Sequence, residues 1–230
     1  LLALNLSGYI NGVARRHAET TRHLYPGYQI RAVTNGVHTA TWAHRGFARL
    51  YDARFPNWSH APETLIAADQ LPDAEVWDAH VAAKAELLAL VKQVSGVALD
   101  PDRPVIGFAR RMTGYKRPEL LLSDLARLRA SHDRHPFQVV WAGKAHGRDE
   151  DGKHLIEHIN AHIRELGSEI PMAFLPNYDL KLAAALVSGA DIWLNTPLPP
   201  MEASGTSGMK AAINGVLNLS VMDGWWVEAC

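Results

Sequence analysis

Hydrophobic and polar positions follow two different rhythms on either side of Pro104. Beyond it, short apolar runs recur at Val105 to Ala109, Phe137 to Ala142, Met172 to Leu175, Asp191 to Asn195 and Val216 to Met222. Runs of that length suit strands buried on both faces rather than helices. Between them lie stretches of helical period: Glu119 to Ala130, Lys153 to Leu166, Lys181 to Ser188 and the short Met209 to Ile213. This alternation predicts a parallel, doubly wound α/β sheet with its ligand site at the C-terminal strand ends.

Before Pro104 the pattern is mostly helical. Leu2 to His23 reads as one helix, with Leu4, Leu6, Ile10 and Val13 on one stripe and Arg15, Arg16 and Glu19 on another, ended by Tyr25-Pro26-Gly27. Ile30 to Val33 reads as a short strand, and His44 to about Gln70 as irregular chain punctuated by proline. Asp73 to Val94 is an amphipathic helix with Asp73 as its cap, Val76, Trp77, His80, Leu87, Leu88 and Val91 on its apolar face, and Lys84 and Lys92 in water. Ser95 to Pro104, rich in Pro, Gly and Asp, reads as a linker. Two units are therefore expected, 1–100 and 101–230.

The stretch with the most chemistry is Glu202-Ala-Ser-Gly-Thr-Ser-Gly-Met-Lys210, between a strand and a short helix. Gly205 and Gly208 let the main chain approach a ligand, and a helix start behind a glycine loop favours an anion. Lys210 is placed in the first helical turn, where the dipole disfavours a cation; a Schiff base to a phosphate-bearing aldehyde cofactor would account for it. An ordinary strand–helix turn with a solvated lysine accounts for the same residues. The spacing excludes a Walker A loop. At the end of the Val105 strand, Arg110 to Arg117 packs four cations into eight residues, either an anion clamp or a solvated basic loop. Thr34 to Trp42 offers His38 and Trp42 on a loop, a pairing suited to sugar hydroxyls and a pyranose face, though His38 also fits as an ordinary structural histidine.

Composition narrows the classes. With 23 basic and 24 acidic residues, bulk charge points to neither nucleic acid nor an anionic membrane. The single cysteine, Cys230, excludes an internal disulfide framework and suits a reducing compartment, so a cytoplasmic setting is expected. No apolar run is long enough to span a bilayer. His154, His158 and His162 recur every four residues but flank an apolar stripe away from the strand ends, and no metal is expected. Both ends look cut, so the chain reads as an internal piece of a longer protein.

Glu202 to Lys210 resembles the pyridoxal-phosphate lysine motif of the α-glucan (glycogen, starch and maltodextrin) phosphorylases, in a variant form at Ser207-Gly208. Met222-Asp-Gly-Trp-Trp-Val-Glu228 resembles the shorter bacterial and archaeal type. Further likenesses are Asn11-Gly-Val-Ala14, Arg111 to Arg117, Gly143-Lys144-Ala145 and Asn177-Tyr178. The resemblance implies a GT-B fold, with the end of an N-terminal domain followed by most of the C-terminal one. It implies phosphorolysis of terminal α-1,4-glucosyl residues of a glucan or maltodextrin by inorganic phosphate, with retention, and pyridoxal phosphate relaying a proton through its 5′-phosphate.

By the same resemblance, Lys210 holds the cofactor, with Gly205, Thr206, Tyr178 and Arg110 around it. Arg111 and Lys116 bind phosphate, Glu202 and Ser204 meet the glucosyl hydroxyls, and His38 with Asn35 forms the opposite rim. Lys144 assists anion binding, His17 faces the cleft, and the parent is a homodimer. A nucleotide-sugar GT-B transferase and a non-catalytic piece remain as alternatives. The piece alone is expected to be inactive and, with open sheet edges, to aggregate.

Overall fold

The computed structural model describes residues 1–229, and Cys230 lies outside them. In chain order the elements are α1 (Leu2–Leu6), β1 (Asn11–Gly12), α2 (Arg15–Leu24), β2 (Arg31–Ala32), α3 (Thr39–Trp42), α4 (Arg45–Arg54) and α5 (Asp73–Ser95). They are followed by β3 (Val105–Arg111), α6 (Leu125–Arg134), β4 (Gln138–Lys144), α7 (Glu150–Leu166), β5 (Met172–Leu175), α8 (Leu180–Gly189), β6 (Ile192–Asn195), α9 (Thr206–Ala212), β7 (Leu217–Ser220) and α10 (Trp226–Ala229).

Five strands form one parallel sheet in the order β5-β4-β3-β6-β7. The chain thus builds outward from β3 in one direction and then restarts beside it with β6. In such a sheet the crevice opens where the winding reverses, past the carboxyl ends of β3 and β6. The runs that read as doubly buried are so: the first six residues of β3 and of β4 are buried. Leu87 and Val91 of α5, with Leu182, Leu186 and Val187 of α8, pack on one sheet face against Val105, Val140 and Trp193. Leu128 of α6 and Ile159 and Leu166 of α7 pack on the other, against Phe108, Val139 and Trp141. A smaller cluster of Phe47, Leu50, Tyr51, Trp58 and Ala79 joins α4 to α5.

Several expectations are corrected. The first helix breaks at Ser7-Gly8, and Asn11-Gly12 instead pairs in parallel with Arg31-Ala32. Gly12 permits this, since a Cβ there would lie 2.6 Å from the Ala18 nitrogen. The irregular 44–70 stretch contains α4 and a 3-10 helix, Pro62–Gln70. Residue Pro72, not Asp73, occupies the cap of α5, which has no side-chain cap bond. Trp77 is 60% exposed, and Lys84 is buried rather than in water. The last strand is half exposed, with Leu217 and Leu219 facing out.

Lys84 is buried because it has an anion. Its Nζ lies 3.0 Å from Asp191 Oδ2 and donates to the Arg103 carbonyl, while His80 Nε2 is 2.9 Å from Asp191 Oδ1. The same Asp191 accepts from the Val105 amide at 2.7 Å, so one carboxylate ties α5 to the starts of β3 and β6. Burial alone would raise the Asp191 carboxyl, but the bonds from His80, Val105 and Lys84 outweigh it and hold it below the usual 3.8. A depressed carboxyl stabilises the fold above its unfolded value and loses that contribution as pH falls through its folded value. Stability is therefore expected to fall below about pH 4. In urea titrations Asp191→Asn should cost on the order of 2 kcal/mol at neutral pH and flatten that acid limb. An unchanged limb would place the acid sensitivity elsewhere.

Candidate active site

The carboxyl ends of β3 and β6 bring together residues far apart in sequence. Glu202, on the loop after β6, is buried, and its Oε2 pairs with Lys116 Nζ and lies 3.5 Å from Arg110 Nη1. Arg110 Nη2 donates to Ser207 Oγ at 3.4 Å, and Trp193 Nε1 donates to the same oxygen at 3.2 Å. Two buried cations thus share one carboxylate. The Nε and Nη1 of Arg110, Ser204 Oγ and Asp223 Oδ1 are buried without a hydrogen-bond partner. Buried polar groups are normally satisfied, so an unpaired set of this kind marks a place for a polar ligand. The Arg110 nitrogens are charged donors that suit an anion, with Glu202 and the buried Asp223 balancing the charge of Arg110 and Lys116. Burial pulls the Arg110 guanidinium below its ordinary range, with Glu202, then Tyr178 and Tyr115, opposing that shift. Burial likewise raises the Tyr178 phenol, against the pull of Arg110.

The loop between β6 and α9 is held from both sides. Arg117, with φ +47°, donates to the carbonyls of Thr196 and Pro197, each at 2.8 Å. Thr196 Oγ1 returns bonds to the carbonyls of Lys116 and Arg117. On the other side the Glu202 amide donates to Asp223 Oδ2 at 2.9 Å, and the Trp225 amide to the Ser204 carbonyl at 2.9 Å. Gly224, at φ +58°, is pressed against that loop, where a Cβ would lie 2.3 Å from the Ser204 oxygen. Gly224→Ala is expected to push Ser204 aside and cost about 2 kcal/mol in chemical denaturation; a cost below a few tenths would show the loop to be slack.

Gly205, at φ +88°, caps α9 in the left-handed conformation, and the seven-residue helix starts at Thr206. Its first amides have no partners within the helix. Lys210 lies in the last turn of α9. The expectation that it opposes the helix dipole is therefore overturned; in that turn the dipole favours a cation. What perturbs Lys210 is burial, which lowers its pKa. Its Nζ sits 3.6 Å from the centre of the Trp42 ring, so the indole lies at the lysine rather than spread alone as a sugar platform. Ser207 and Lys210, three apart, share a helix face.

Behind that face is a residue the sequence reading did not single out. Asn214 is fully buried; its Oδ1 accepts from the His44 amide at 2.6 Å and its Nδ2 donates to the carbonyls of Trp42 and Lys210 at 2.8 and 2.9 Å. Tyr51 Oη donates to the Ile213 carbonyl at 2.6 Å. These bonds set Trp42 and Lys210 against each other. No local sequence signal reports them, because every partner on the amino-terminal side is more than 150 residues away.

The remaining predicted residues lie outside this hydrogen-bonded cluster. Arg111 and Lys144 are exposed and face each other in register at the ends of β3 and β4. His38 is exposed, with Nδ1 2.8 Å from Thr41 Oγ1, four residues before Trp42. Asn35 is exposed, and its amide donates to the Val13 carbonyl. His17 Nδ1 accepts from the Val13 amide at 3.1 Å. Among the described residues these side chains make no hydrogen bond to the Arg110–Glu202 cluster, and no His, Cys, Asp or Glu group suited to a metal ion occurs. No helix among them is long and apolar enough to cross a membrane.

The family model described as carbohydrate phosphorylase matches residues 1–230. The chain is 40% identical over 257 residues to the maltodextrin phosphorylase of Thermococcus litoralis, covering 99% of this chain and 31% of that protein. It is 39% identical to the glycogen phosphorylase of Aquifex aeolicus, covering 99% of this chain and 37% of that protein. It is 35% identical to the glycogen phosphorylase of Mycobacterium tuberculosis, covering 99% and 30%. The chain spans about a third of the length of these curated relatives.

Proposed function

This chain belongs to the carbohydrate phosphorylase family, and on that premise we propose that it carries the cofactor and phosphate site of a longer α-1,4-glucan phosphorylase. The reaction proposed is attack of inorganic phosphate on the terminal glucosyl residue of a glucan or maltodextrin, releasing α-glucose 1-phosphate with retention. One observation carries the reading. A buried charged cluster, in which Arg110 nitrogens lack a hydrogen-bond partner, is tied through Ser207 to the short helix that carries a lysine whose amine is perturbed by burial.

The residues fit pyridoxal phosphate. Lys210 would hold it, with the Trp42 ring alongside, Gly205 and Thr206 at the glycine turn, and Tyr178 and Arg110 on the strand-end side. When bound, the cofactor supplies a phosphate group through which a proton can pass toward the substrate phosphate and the glycosidic oxygen. The chain's own groups do the rest. Lys116 and Arg110 hold positive charge against the anions, while Glu202 keeps the two cations in place and would meet a glucosyl hydroxyl. Fixed charges of this kind stabilise a transition state without reorganising. Arg111 and Lys144, exposed at the mouth, would draw in phosphate, and Ser204 Oγ, unpartnered, would bond the sugar. Asn35 and His38 form the proposed opposite rim. The cytoplasm, a homodimeric parent, and the absence of nucleic-acid or membrane partners belong to the same proposal.

A nucleotide-sugar transferase would use the basic strand end but has no task for Lys210. The two are separated by an absorbance and fluorescence scan of the full-length protein before and after borohydride reduction, with peptide mapping. A near-ultraviolet band fixed by reduction to Lys210, together with glucose 1-phosphate formed from maltodextrin and phosphate, is the expected result. A folded protein without the band would refute the phosphorylase reading.

A further inference from the structure

Beyond β7 the chain turns back over the glycine loop. Asp223 takes the Glu202 amide, the Trp225 amide binds the Ser204 carbonyl, and the Trp225 ring packs against Gly205 and Gly208. Gly208 has no room for a side chain, since a Cβ would lie 2.6 Å from Asn218 Oδ1 and 3.2 Å from that indole. Residues 223–228 therefore form a strap over the proposed cofactor turn.

The strap ends on a carboxylate whose two oxygens both reach the amino-terminal part of the chain. Glu228 Oε1 accepts from the Arg15 amide at 2.8 Å, at the start of α2, where a helix amide lacks an intrahelical partner. Glu228 Oε2 accepts from Thr34 Oγ1 at 2.7 Å, next to Asn35. The Glu228 side chain is 15% exposed, whereas the Arg15 side chain that approaches it at 3.4 Å is 77% exposed. The amide and hydroxyl bonds are the short ones, and bonds to a charged group are the stronger kind. A few residues on, the Asn35 amide binds the Val13 carbonyl, so the rim loop and the entry to α2 are held as one piece.

We propose that Glu228 is a positioning residue, locking the rim loop Thr34–His38 to the strap that covers the Gly205–Gly208 turn. The proposal rests on the reading above of Asn35 and His38 as the sugar-facing rim. Through this clasp the two halves of the site keep one spacing, and loss of the carboxylate frees the rim while the strap stays bound through Asp223 and Trp225. Glucan binding is then the quantity affected, ahead of turnover and cofactor retention.

The test compares Glu228→Ala, Thr34→Val and Thr34→Ser in the full-length protein by hydrogen exchange of residues 13–16 and 33–37, cofactor absorbance and steady-state kinetics with maltodextrin. Glu228→Ala should speed exchange in both segments and raise KM for glucan, each about tenfold, with kcat changed less than about threefold and absorbance retained. Thr34→Val should reproduce a smaller part of both effects, and Thr34→Ser, which keeps the hydroxyl, should restore them to wild type. Wild-type exchange in Glu228→Ala, or an unchanged KM with the cofactor loaded, would overturn the proposal. If Glu228→Ala does not fold, the Thr34 pair decides. Absence of the cofactor band in the wild-type protein would instead remove the phosphorylase reading, and the exchange data would still report on the clasp.

Discussion

Lys210→Ala is expected to remove the near-ultraviolet absorbance fixed by borohydride and to lower phosphorolysis by roughly a thousandfold or more, while leaving the fold intact. Activity and stability separate here because of what Lys210 touches. Among the described residues it makes no ion pair, and its Nζ lies over the Trp42 ring, at 3.6 Å. An interaction of that kind contributes about 1 kcal/mol, and burial already lowers the pKa of the amine. Thermal unfolding of the variant should therefore stay close to wild type. Burial disfavours the charged form of this amine, and the neutral form is the one that bonds a carbonyl carbon. Retention of the fixed band in Lys210→Ala would show that another amine carries the cofactor.

Glu202→Ala should act through both stability and chemistry. It leaves Arg110 and Lys116 buried without their shared carboxylate, and breaking a buried pair by removing one partner costs about 3–5 kcal/mol. Inorganic phosphate can partly replace the lost charge. A ligand at ten times its dissociation constant stabilises by about 1.4 kcal/mol, so phosphate should raise the melting temperature of Glu202→Ala by more than it raises that of the wild type. Calorimetry with and without phosphate checks both parts. A cost under about 1 kcal/mol, with no differential response to phosphate, would mean that the cluster is hydrated and is no anion site.

The first four strands of the sheet were legible because each is a short apolar run between breakers, a pattern set by local burial, whereas Leu217 and Leu219 of β7 are apolar yet exposed. Val105, Val139 and Met172 are buried on a covered sheet, as such runs require. The first hundred residues were less so. A stripe through Leu4, Leu6 and Ile10 continues in sequence across Ser7-Gly8, but the two-residue pairing of β1 with β2 outcompetes the helix there. Lys84 read as solvent-facing from its charge alone, since Asp191, its partner, lies 107 positions away. The same limit governs the site. Glu202, Ser204, Gly205 and Lys210 sit on one contiguous stretch and could be read together, whereas Asn214 and Glu228 act through partners at the other end of the chain. The lysine's turn was misplaced because the helix starts at Thr206, directly after the left-handed Gly205.

Asn214 also sets an order of assembly. Its side chain joins Trp42 and His44 to α9 across 172 and 170 residues of sequence. Contacts of such separation form slowly, because chain closure must precede any gain from them. At typical synthesis rates the amino-terminal half of the site waits on the order of ten seconds for its partner to leave the ribosome. During that interval Trp42 has no lysine to face and the α2 entry has no carboxylate. On the proposed reading, the aldehyde cofactor would be captured only after α9 has docked on Trp42, so cofactor incorporation would report on that docking.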